Sequence, residues 1–482
     1  MTQSTEAAHN GNSGQLGWKQ LASIIAAIIV FISLYFGLPE DFTYAPRVMT
    51  ALVCFAIVLW AFEPIPLGAT GLIVLVLMLV FRVADTSVTL SGFASPAIFL
   101  IIGGTMIVIA TNETPLIRRM TYNMLAKFGS TSKGLVWSLL IILQIQAIFI
   151  PAVAVRTTLM IPITSMIAKT VGARPGSNLQ RILFLTLAFG GTVSGVAIMT
   201  AAVSNVLTVE ILNRYANINV TYFEWFLYTF PIWFLMIPTV GFLLLKMYPV
   251  PTGQQHHPKI KQEMKQKIEE LGPITNAEKR ASFILLLTVG LWLTEPLHGM
   301  HPSISALIGA ALMALPVIGC GTWKKMVQMN YDTILLLSVT LSVGYVFVDS
   351  GATDLISNYV STEGFLKLLQ HPVLGLFIII FLTQIFHKMI SNVSTAVITL
   401  LPIVLSIATV ANFDPLFISM VVGVTCLFGF ILAVESMPNL LIHSTGAVTQ
   451  KDFILPGFYL TIISSVITVI IALTWWQWVG LY

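Results

Sequence analysis

The sequence predicts an all-α polytopic membrane protein with two inverted repeats of about five spans and a re-entrant hairpin each, preceded by one extra N-terminal span. Of its 482 residues, 56% are hydrophobic and only 9% are charged, whereas soluble domains carry about 25% charged residues. The mean hydropathy is +0.90. Apolar runs close to the roughly 20 residues that cross a bilayer recur along the chain. Short motifs also recur, in the same order, in both halves.

The internal duplication rests on three pairs of motifs. Motifs at 162–168, 204–207 and 221–227 match motifs at 402–408, 438–441 and 449–455, with offsets of 240, 234 and 228 residues. Internal repeats of this kind are typical of secondary transporters. An odd number of crossings in each half would place the second half upside down relative to the first.

The repeats divide the chain into five predicted regions. We expect a polar tail at 1–17, the extra span at 18–44, the first repeat at 45–248 with a hairpin near 134–168, a basic loop at 249–280, and the second repeat at 281–482 with a hairpin near 363–408. The lysine excess of the loop favours the cytoplasm. Threading from there places most other basic loops and the N-terminus in the cytoplasm, with Arg47 and Arg214 outside. We therefore expect a multi-pass protein of a bacterial-type cell membrane, surrounded by lipid.

Each half contains a predicted break in a helix at membrane depth. Glycines 190 and 191 precede Ser204 and Asn205 in the first half, and Gly429 precedes Pro438 and Asn439 in the second. Unwound backbone at this depth occurs only where it is buried in protein or lines a cavity, and half-helix N-termini attract anions. We interpret both breaks as walls of a substrate site. The alternative is that these small residues serve helix packing alone.

The second hairpin places polar groups inside an apolar segment. These are His387, Lys388, Ser391, Asn392 and Thr395, with Val393 among them. An ionisable side chain in hydrocarbon is costly unless it is paired or faces water, so it indicates a functional site. The expected partner is an anion.

Other functional classes fit the sequence poorly. The net charge of +4 comes mostly from loops and reports topology, not nucleic-acid binding. No spacing of cysteine, histidine or carboxylate residues indicates a metal centre, a cofactor site or a nucleophile with its base. A channel would need a continuous polar lining. We therefore predict a secondary carrier and no enzymatic activity.

The hairpin and break motifs resemble those of the divalent anion:sodium symporter family, the di- and tricarboxylate carriers that include the "I'm not dead yet" transporters. Ser391-Asn392-Val393, with Thr395 and the following Pro402, is similar to that family's Ser-Asn-Thr hairpin signature. The Pro438-Asn439 element is similar to its second-half counterpart. The resemblance implies elevator-like alternating access, a homodimer, a substrate between two Ser-Asn tips, and sodium near Ser391, Asn392 and Asn439.

The first hairpin departs from the family pattern. Where the family has Ser-Asn-Thr, residues 151–158 read Pro-Ala-Val-Ala-Val-Arg-Thr-Thr, which leaves the hydroxyls of Thr157 and Thr158 and adds Arg156. Our hypothesis is that Arg156, His387 and Lys388 replace bound sodium. An empty carrier would then hold uncompensated cations in a low-dielectric core. Reorientation without substrate would be disfavoured, and one anion would exchange for another.

Several alternatives stay open at this point. The carrier could be a sodium- or proton-coupled symporter instead of an exchanger, and the substrate could be succinate, malate, 2-oxoglutarate, citrate or another divalent anion. Arg156 or Lys388 could reach an interface or pair with Glu435 or Asp332. Glu435 is either a proton site or an ion-pair partner. His387 either takes part in proton coupling or donates to a backbone carbonyl.

Overall fold

The computed structural model describes residues 17–251, 255–360, 363–369, 371–390, 392–411 and 413–481. Over these ranges the chain is helical apart from loops, and one isolated antiparallel β-bridge joins Thr131 to His256. Most of the predicted polar tail lies outside the described residues, as does Ser391 of the predicted site.

The extra span and the first predicted repeat form the first group of helices. They are α1 Trp18–Gly37, α2 Tyr44–Phe62, α3 Leu67–Val80, α4 Thr86–Thr89, α5 Pro96–Asn112, α6 Leu116–Phe128, α7 Ser132–Phe149, α8 Val153–Thr170, α9 Asn178–Val193, α10 Val203–Ala216 and α11 Tyr222–Met247, with 3-10 turns at Ser91–Ala94 and Met199–Ala201.

The basic loop and the second predicted repeat form the remaining helices. They are α12 Pro258–Glu270, α13 Asn276–Leu293, α14 Glu295–His298, α15 Pro302–Ala314, α16 Trp323–Met326, α17 Tyr331–Asp349, α18 Ala352–Val360, α19 Glu363–Leu369, α20 Pro372–Met389, α21 Val393–Ala411, α22 Pro415–Cys426, α23 Met437–Ser444, α24 Gln450–Leu473 and α25 Trp475–Trp478.

The helix lengths agree with a polytopic membrane protein. Six helices of the described residues are long and apolar enough to cross a membrane, or seven if α5 and α6, bent by 68°, count as one span. The remaining predicted crossings would fall on the short helices α3 and α15, on α13 and on the broken pairs α9–α10 and α22–α23. The number of crossings in each half stays a prediction.

Side-chain contacts join three pairs of segments that contain basic residues, and the surface around these contacts is here called the basic face. Arg119 lies 2.7 Å from Glu278, and Lys325 lies 2.9 Å from Glu113. The hydroxyl of Tyr248 donates to the backbone oxygen of Asp452. These contacts join α6 to α13, α16 to α5 and α11 to α24, and the common cytoplasmic side of the loops stays a prediction.

Helices α7 and α8 form a helical hairpin, and its re-entrant topology stays a prediction. At the start of α7, the Ser132 amide donates to the backbone oxygen of Gln255 at 3.0 Å. At the end of α8, the Thr170 hydroxyl donates to Glu263. Both ends therefore contact the same basic loop. The second hairpin, α20–α21, begins at 372, later than the predicted boundary near 363, because α19 forms a separate short helix.

Matching side-chain contacts occur in the two halves. Gln144 of α7 donates to the backbone oxygen of Gly190 at 3.3 Å, and Gln384 of α20 donates to that of Thr425 at 3.2 Å. Capping boxes begin both α11 and α24. These paired contacts support the prediction that the halves are related repeats.

Candidate functional site

The two predicted breaks are present, and an asparagine holds each of them. The chain leaves α9 after Val193 and enters α10 at Val203, and it leaves α22 after Cys426 and enters α23 at Met437. The Asn205 amide donates to the backbone oxygens ten and seven residues before it, at 2.7 and 3.1 Å. That of Asn439 makes the same two bonds, at 3.0 and 3.2 Å.

The second piece of each broken helix packs against the other half. Helix α23 contacts α8 and α9, and α10 contacts α21 and α22. A Cβ atom on Gly191 would lie 2.8 Å from Thr157 Oγ1 and 3.2 Å from Pro438 Cβ. The fold thus brings Thr157 and Pro438, both predicted site residues, to one position. This close approach requires glycine there.

Arg156 is fully buried and joins the tip of the first hairpin to the first break. Its Nη1 donates to the backbone oxygen of Ile150 at 2.5 Å, and its Nε and Nη2 donate to Ser194 Oγ at 3.2 and 3.0 Å. Among the described residues, no carboxylate lies within ion-pair distance of this guanidinium. Arg156 therefore neither reaches an interface nor pairs with Glu435 or Asp332.

The tip of the first hairpin has a strained backbone. Ala152 has a φ of 131°, in a region that favours glycine and costs other residues about 1–3 kcal/mol. Arg156 donates to the backbone oxygen of Ile150, which lies two residues before Ala152, and this bond helps to hold the conformation of the tip. Thr158, one position beyond buried Thr157, has an exposed side chain on the other side of α8.

The second hairpin holds its cations differently. His387 is buried, and its Nε2 lies 2.9 Å from the backbone oxygen of Glu435. A carbonyl oxygen only accepts, so this nitrogen carries the proton. Lys388 Nζ lies 3.9 Å from Glu435 Oε1; the lysine side chain is 29% exposed and the glutamate 1%. This contact agrees with the ion-pair alternative for Lys388.

The remaining predicted site residues surround the start of α21 and of α10. Asn392 caps α21, because its Oδ1 accepts from the amides of Ser394 and Thr395 at 2.9 and 3.3 Å. Thr395 is buried, and its hydroxyl has no partner among the described residues. Val393 is the first residue of α21, and Ser204 is buried in the first turn of α10.

A chain of polar groups connects the two hairpins through both breaks. The Ser194 hydroxyl, which accepts from Arg156, donates to the backbone oxygen of Gly191 at 2.6 Å. The next residue, Thr192, lies 3.3 Å from Ser436, hydroxyl to hydroxyl. Ser436 adjoins Glu435, which contacts both His387 and Lys388. The sequence analysis did not assign Ser194, Thr192 or Ser436 to the site, although a serine two residues before Pro438 is a recognisable N-cap.

Two apolar clefts lie beside the tip of the first hairpin. Their empty volumes, with open solvent included, are about 360 and 210 Å³, and both are lined by Gly104, Pro151 and Trp292. Neither is lined by the cations or by Glu435. In this conformation Arg156, His387 and Glu435 are covered by protein, whereas Lys388 is 29% exposed.

The residues fit a sodium ion only in part. Asn439 Oδ1 and Asn205 Oδ1 are buried without a hydrogen-bond partner in the described part of the chain. Asn392 Oδ1, by contrast, is committed to capping α21. Within the described ranges, no three or more histidine, cysteine or acidic residues form a group that could hold a metal ion. Sodium near Ser391, Asn392 and Asn439 stays a prediction.

A helical membrane fold with two broken helices around buried polar groups defines the class of membrane transporters. Residues 15–482 match the family model described as the sodium:sulfate symporter transmembrane region. The chain belongs to this family, which confirms the resemblance to divalent anion:sodium symporters and the prediction of a transporter in place of an enzyme.

The chain is similar to several curated transporters along nearly its whole length. It is 24% identical to the chloroplastic dicarboxylate transporter 1 of Spinacia oleracea, over 96% of this chain and 81% of the relative. It is 22% identical to the putative malate transporter YflS of Bacillus subtilis, over 98% and 100%. It is also 22% identical to the sodium-dependent dicarboxylate transporter SdcS of Staphylococcus saprophyticus, over 95% and 91%.

A solved structure shares the fold. The YdaH transporter of Alcanivorax borkumensis superposes with a TM-score of 0.57 over 96% of this chain and 99% of that one, at 14% sequence identity. This likeness supports the polytopic fold and no more specific property.

Proposed function

We propose that the protein is a secondary active transporter that exchanges small di- or tricarboxylates of the succinate, malate, 2-oxoglutarate or citrate class. The observation that carries the proposal is the buried Arg156, which has no carboxylate partner among the described residues. The names of three relatives, two dicarboxylate transporters and a putative malate transporter, support dicarboxylates or malate as the substrate. The transporter works by elevator-like alternating access as a homodimer.

A permanent buried cation favours exchange for an energetic reason. Arg156 binds the hairpin tip and the break together through Ile150 and Ser194, as a bound cation would. It cannot dissociate, so an empty carrier keeps the charge in a poorly polarisable interior at a cost of several kcal/mol. A substrate dianion compensates this charge. Movement between the two faces of the membrane is then easier with substrate than without it.

The substrate walls are the two breaks and the two hairpin tips. Thr157 and Pro438 share one contact point, and within the described residues both asparagine Oδ1 atoms at the breaks lack a hydrogen-bond partner. The proposed contacts are Ser204, Asn205, Asn392, Val393, Thr395, Asn439, Thr157, Thr158 and Pro438, together with Ser391, which lies outside the described residues. Binding requires some opening, because most of these side chains are buried.

Sodium-coupled symport is the second candidate. The buried, unpartnered Oδ1 of Asn439 favours it, since a cation prefers such oxygen ligands. One relative is also named as sodium-dependent.

Transport into liposomes distinguishes the two candidates. Purified protein is reconstituted with or without unlabelled succinate inside, and with or without a sodium gradient, and uptake of labelled succinate, malate and citrate is measured. We expect uptake only into loaded vesicles, independent of sodium. Sodium-driven uptake into empty vesicles would show symport instead. Absence of uptake by either route would contradict carboxylate transport.

A further inference from the structure

Glu435 is a buried carboxylate, and one of its two oxygens has no hydrogen-bond partner within the described residues. Its side chain is 1% exposed. Oε2 accepts a hydrogen bond from the Ile431 amide at 2.8 Å, whereas Oε1 has no hydrogen-bond partner among the described residues. Such an oxygen is costly to bury as an anion unless a cation stays beside it.

The cation beside Oε1 is held weakly. Lys388 Nζ lies 3.9 Å away, beyond hydrogen-bond distance, and the lysine is 29% exposed. Lysine has a long, flexible side chain with three rotatable donors. It can therefore turn from Glu435 toward an anion that arrives from water.

The charges at the site do not balance a dianion. Arg156 and Lys388 contribute two positive charges and Glu435 one negative charge. His387 counts as neutral, because it is buried beside Lys388 and a second cation there would be costly. The empty site then carries one net positive charge. A bound dianion would reverse its sign unless one more proton enters.

Resting on the exchange of carboxylates proposed above, we propose that Glu435 is a proton-binding site that is loaded when substrate binds. In the empty carrier, Glu435 is the counter-ion of Lys388. An incoming dianion binds Lys388, and Glu435 Oε1 forms an O–H bond with a proton delivered from hydronium or a protonated buffer molecule, whose own bond to that proton breaks. The occupied site is then neutral. Each dianion thus moves with one proton.

Of the described groups around Glu435, Lys388 is the cation that contacts its carboxylate. From α20, His387 donates to the Glu435 backbone, not to its carboxylate. From α24, the neutral side chain of Gln450 bonds to the backbone of Ile431 and Ala433. Arg156 bonds to Ser194 and Ile150.

Proton uptake during substrate binding tests the proposal. Succinate is titrated into the purified, solubilised full chain at pH 7.5 in buffers with different ionisation enthalpies, so that calorimetry reports protons exchanged per ligand bound. At this pH succinate is a dianion, because carboxyl pKa values lie near 4. We expect uptake of about one proton per succinate in the wild type and none in Glu435→Gln. Sulfate is titrated as a second dianion under the same conditions. It carries no titratable proton in this range, so any proton taken up with it binds to the protein.

A matched control is Glu295→Gln. Glu295 is also buried and accepts a backbone bond, from Tyr222 at 2.8 Å, but no cation lies within ion-pair distance of it among the described residues. We expect this variant to bind succinate with the proton uptake of the wild type. Equal uptake in the wild type and Glu435→Gln, or none in the wild type, would overturn the proposal.

A second measurement does not depend on the folding of a variant. If one proton enters with each dianion, the Kd of the wild type for succinate should rise about tenfold per pH unit above neutral pH. A Kd that is independent of pH over pH 7 to 8.5 would overturn the proton site while leaving carboxylate transport intact. Failure of succinate, malate and citrate to bind at every pH would instead contradict the proposed function itself.

Discussion

The two hairpins compensate their cations in different ways at the scale of single residues. Lys388 has Glu435 within 3.9 Å, whereas Arg156 has a backbone carbonyl and a serine hydroxyl. Neutral acceptors satisfy the guanidinium N–H groups but do not cancel its charge. The first hairpin is therefore the one whose charge most needs an anionic ligand.

Substitution of Arg156 should separate its charge from its geometry. Arg156→Ala removes both, and loss of a charged, buried hydrogen-bonding group costs about 1.5–3 kcal/mol, so we expect homoexchange of succinate to fall about tenfold or more. Arg156→Lys keeps the charge but loses the planar fork, and should retain part of the rate. The measurement is exchange in loaded liposomes per reconstituted protein.

Arg118 provides the control for this series, because it lies exposed on α6 near the basic face. Arg118→Ala should exchange like the wild type. A wild-type rate in Arg156→Ala would return Arg156 to a structural role and remove the main support for exchange.

At the scale of elements, the broken helices depend on paired asparagine contacts. Gly, Pro and Ser in the sequence predicted both breaks, because these residues interrupt the helical ladder. The sequence also suggested that Asn205 and Asn439 bind substrate, and that stays a prediction. What it could not show is that both amide groups bond to backbone oxygens ten and seven residues earlier, since side-chain direction depends on how the loop folds back.

Removal of either amide should destabilise its break. Asn205→Ala and Asn439→Ala each leave one buried and one partly buried carbonyl oxygen without a donor. This costs roughly 2–4 kcal/mol, and we expect the Tm of the solubilised protein to fall in both. Asn123→Ala is the matched control, because the exposed Asn123 amide bonds to a backbone oxygen within its own helix. Unchanged Tm with weakened succinate binding would assign these residues to substrate contact alone.

At the scale of the whole molecule, locally encoded features were predictable and distant contacts were not. The spans follow from apolar run length, and the capping boxes of α11 and α24 can be read from adjacent residues. In contrast, Thr157 and Thr158 are neighbours in sequence, yet one is buried and one exposed. That difference is decided by the packing of α8 on α9 and α23. The bond from Arg156 to Ser194 joins residues 38 positions apart.

On the basic face, an ion pair joins the two halves, and its contribution to stability should depend on pH. Arg119 of α6 donates to Glu278, at the start of α13, at 2.7 and 3.2 Å. Hydrogen bonds from Arg119 lower the pKa of Glu278 below its ordinary value of 4.5. A carboxylate whose pKa is lower in the folded state stabilises the fold above the unfolded value, and loses this contribution as the pH falls through the folded one.

Unfolding of variants at this contact, measured as the pH is lowered, tests whether the contribution of Glu278 to stability is lost in acid. At pH 7 we expect Glu278→Gln to lower the free energy of unfolding by roughly 2 kcal/mol, whereas the difference from the wild type should shrink as the pH falls below about 4.5, where the wild-type carboxylate is itself protonated. The measurement is Tm against pH in detergent. Lys267→Ala, which removes a partly exposed ion pair with Glu270, should change Tm little at any pH. A Tm difference for Glu278→Gln that stays constant down to pH 3 would contradict this prediction. The neutral acid would then be as good a partner for Arg119 as the anion, and the carboxylate charge would not join the halves.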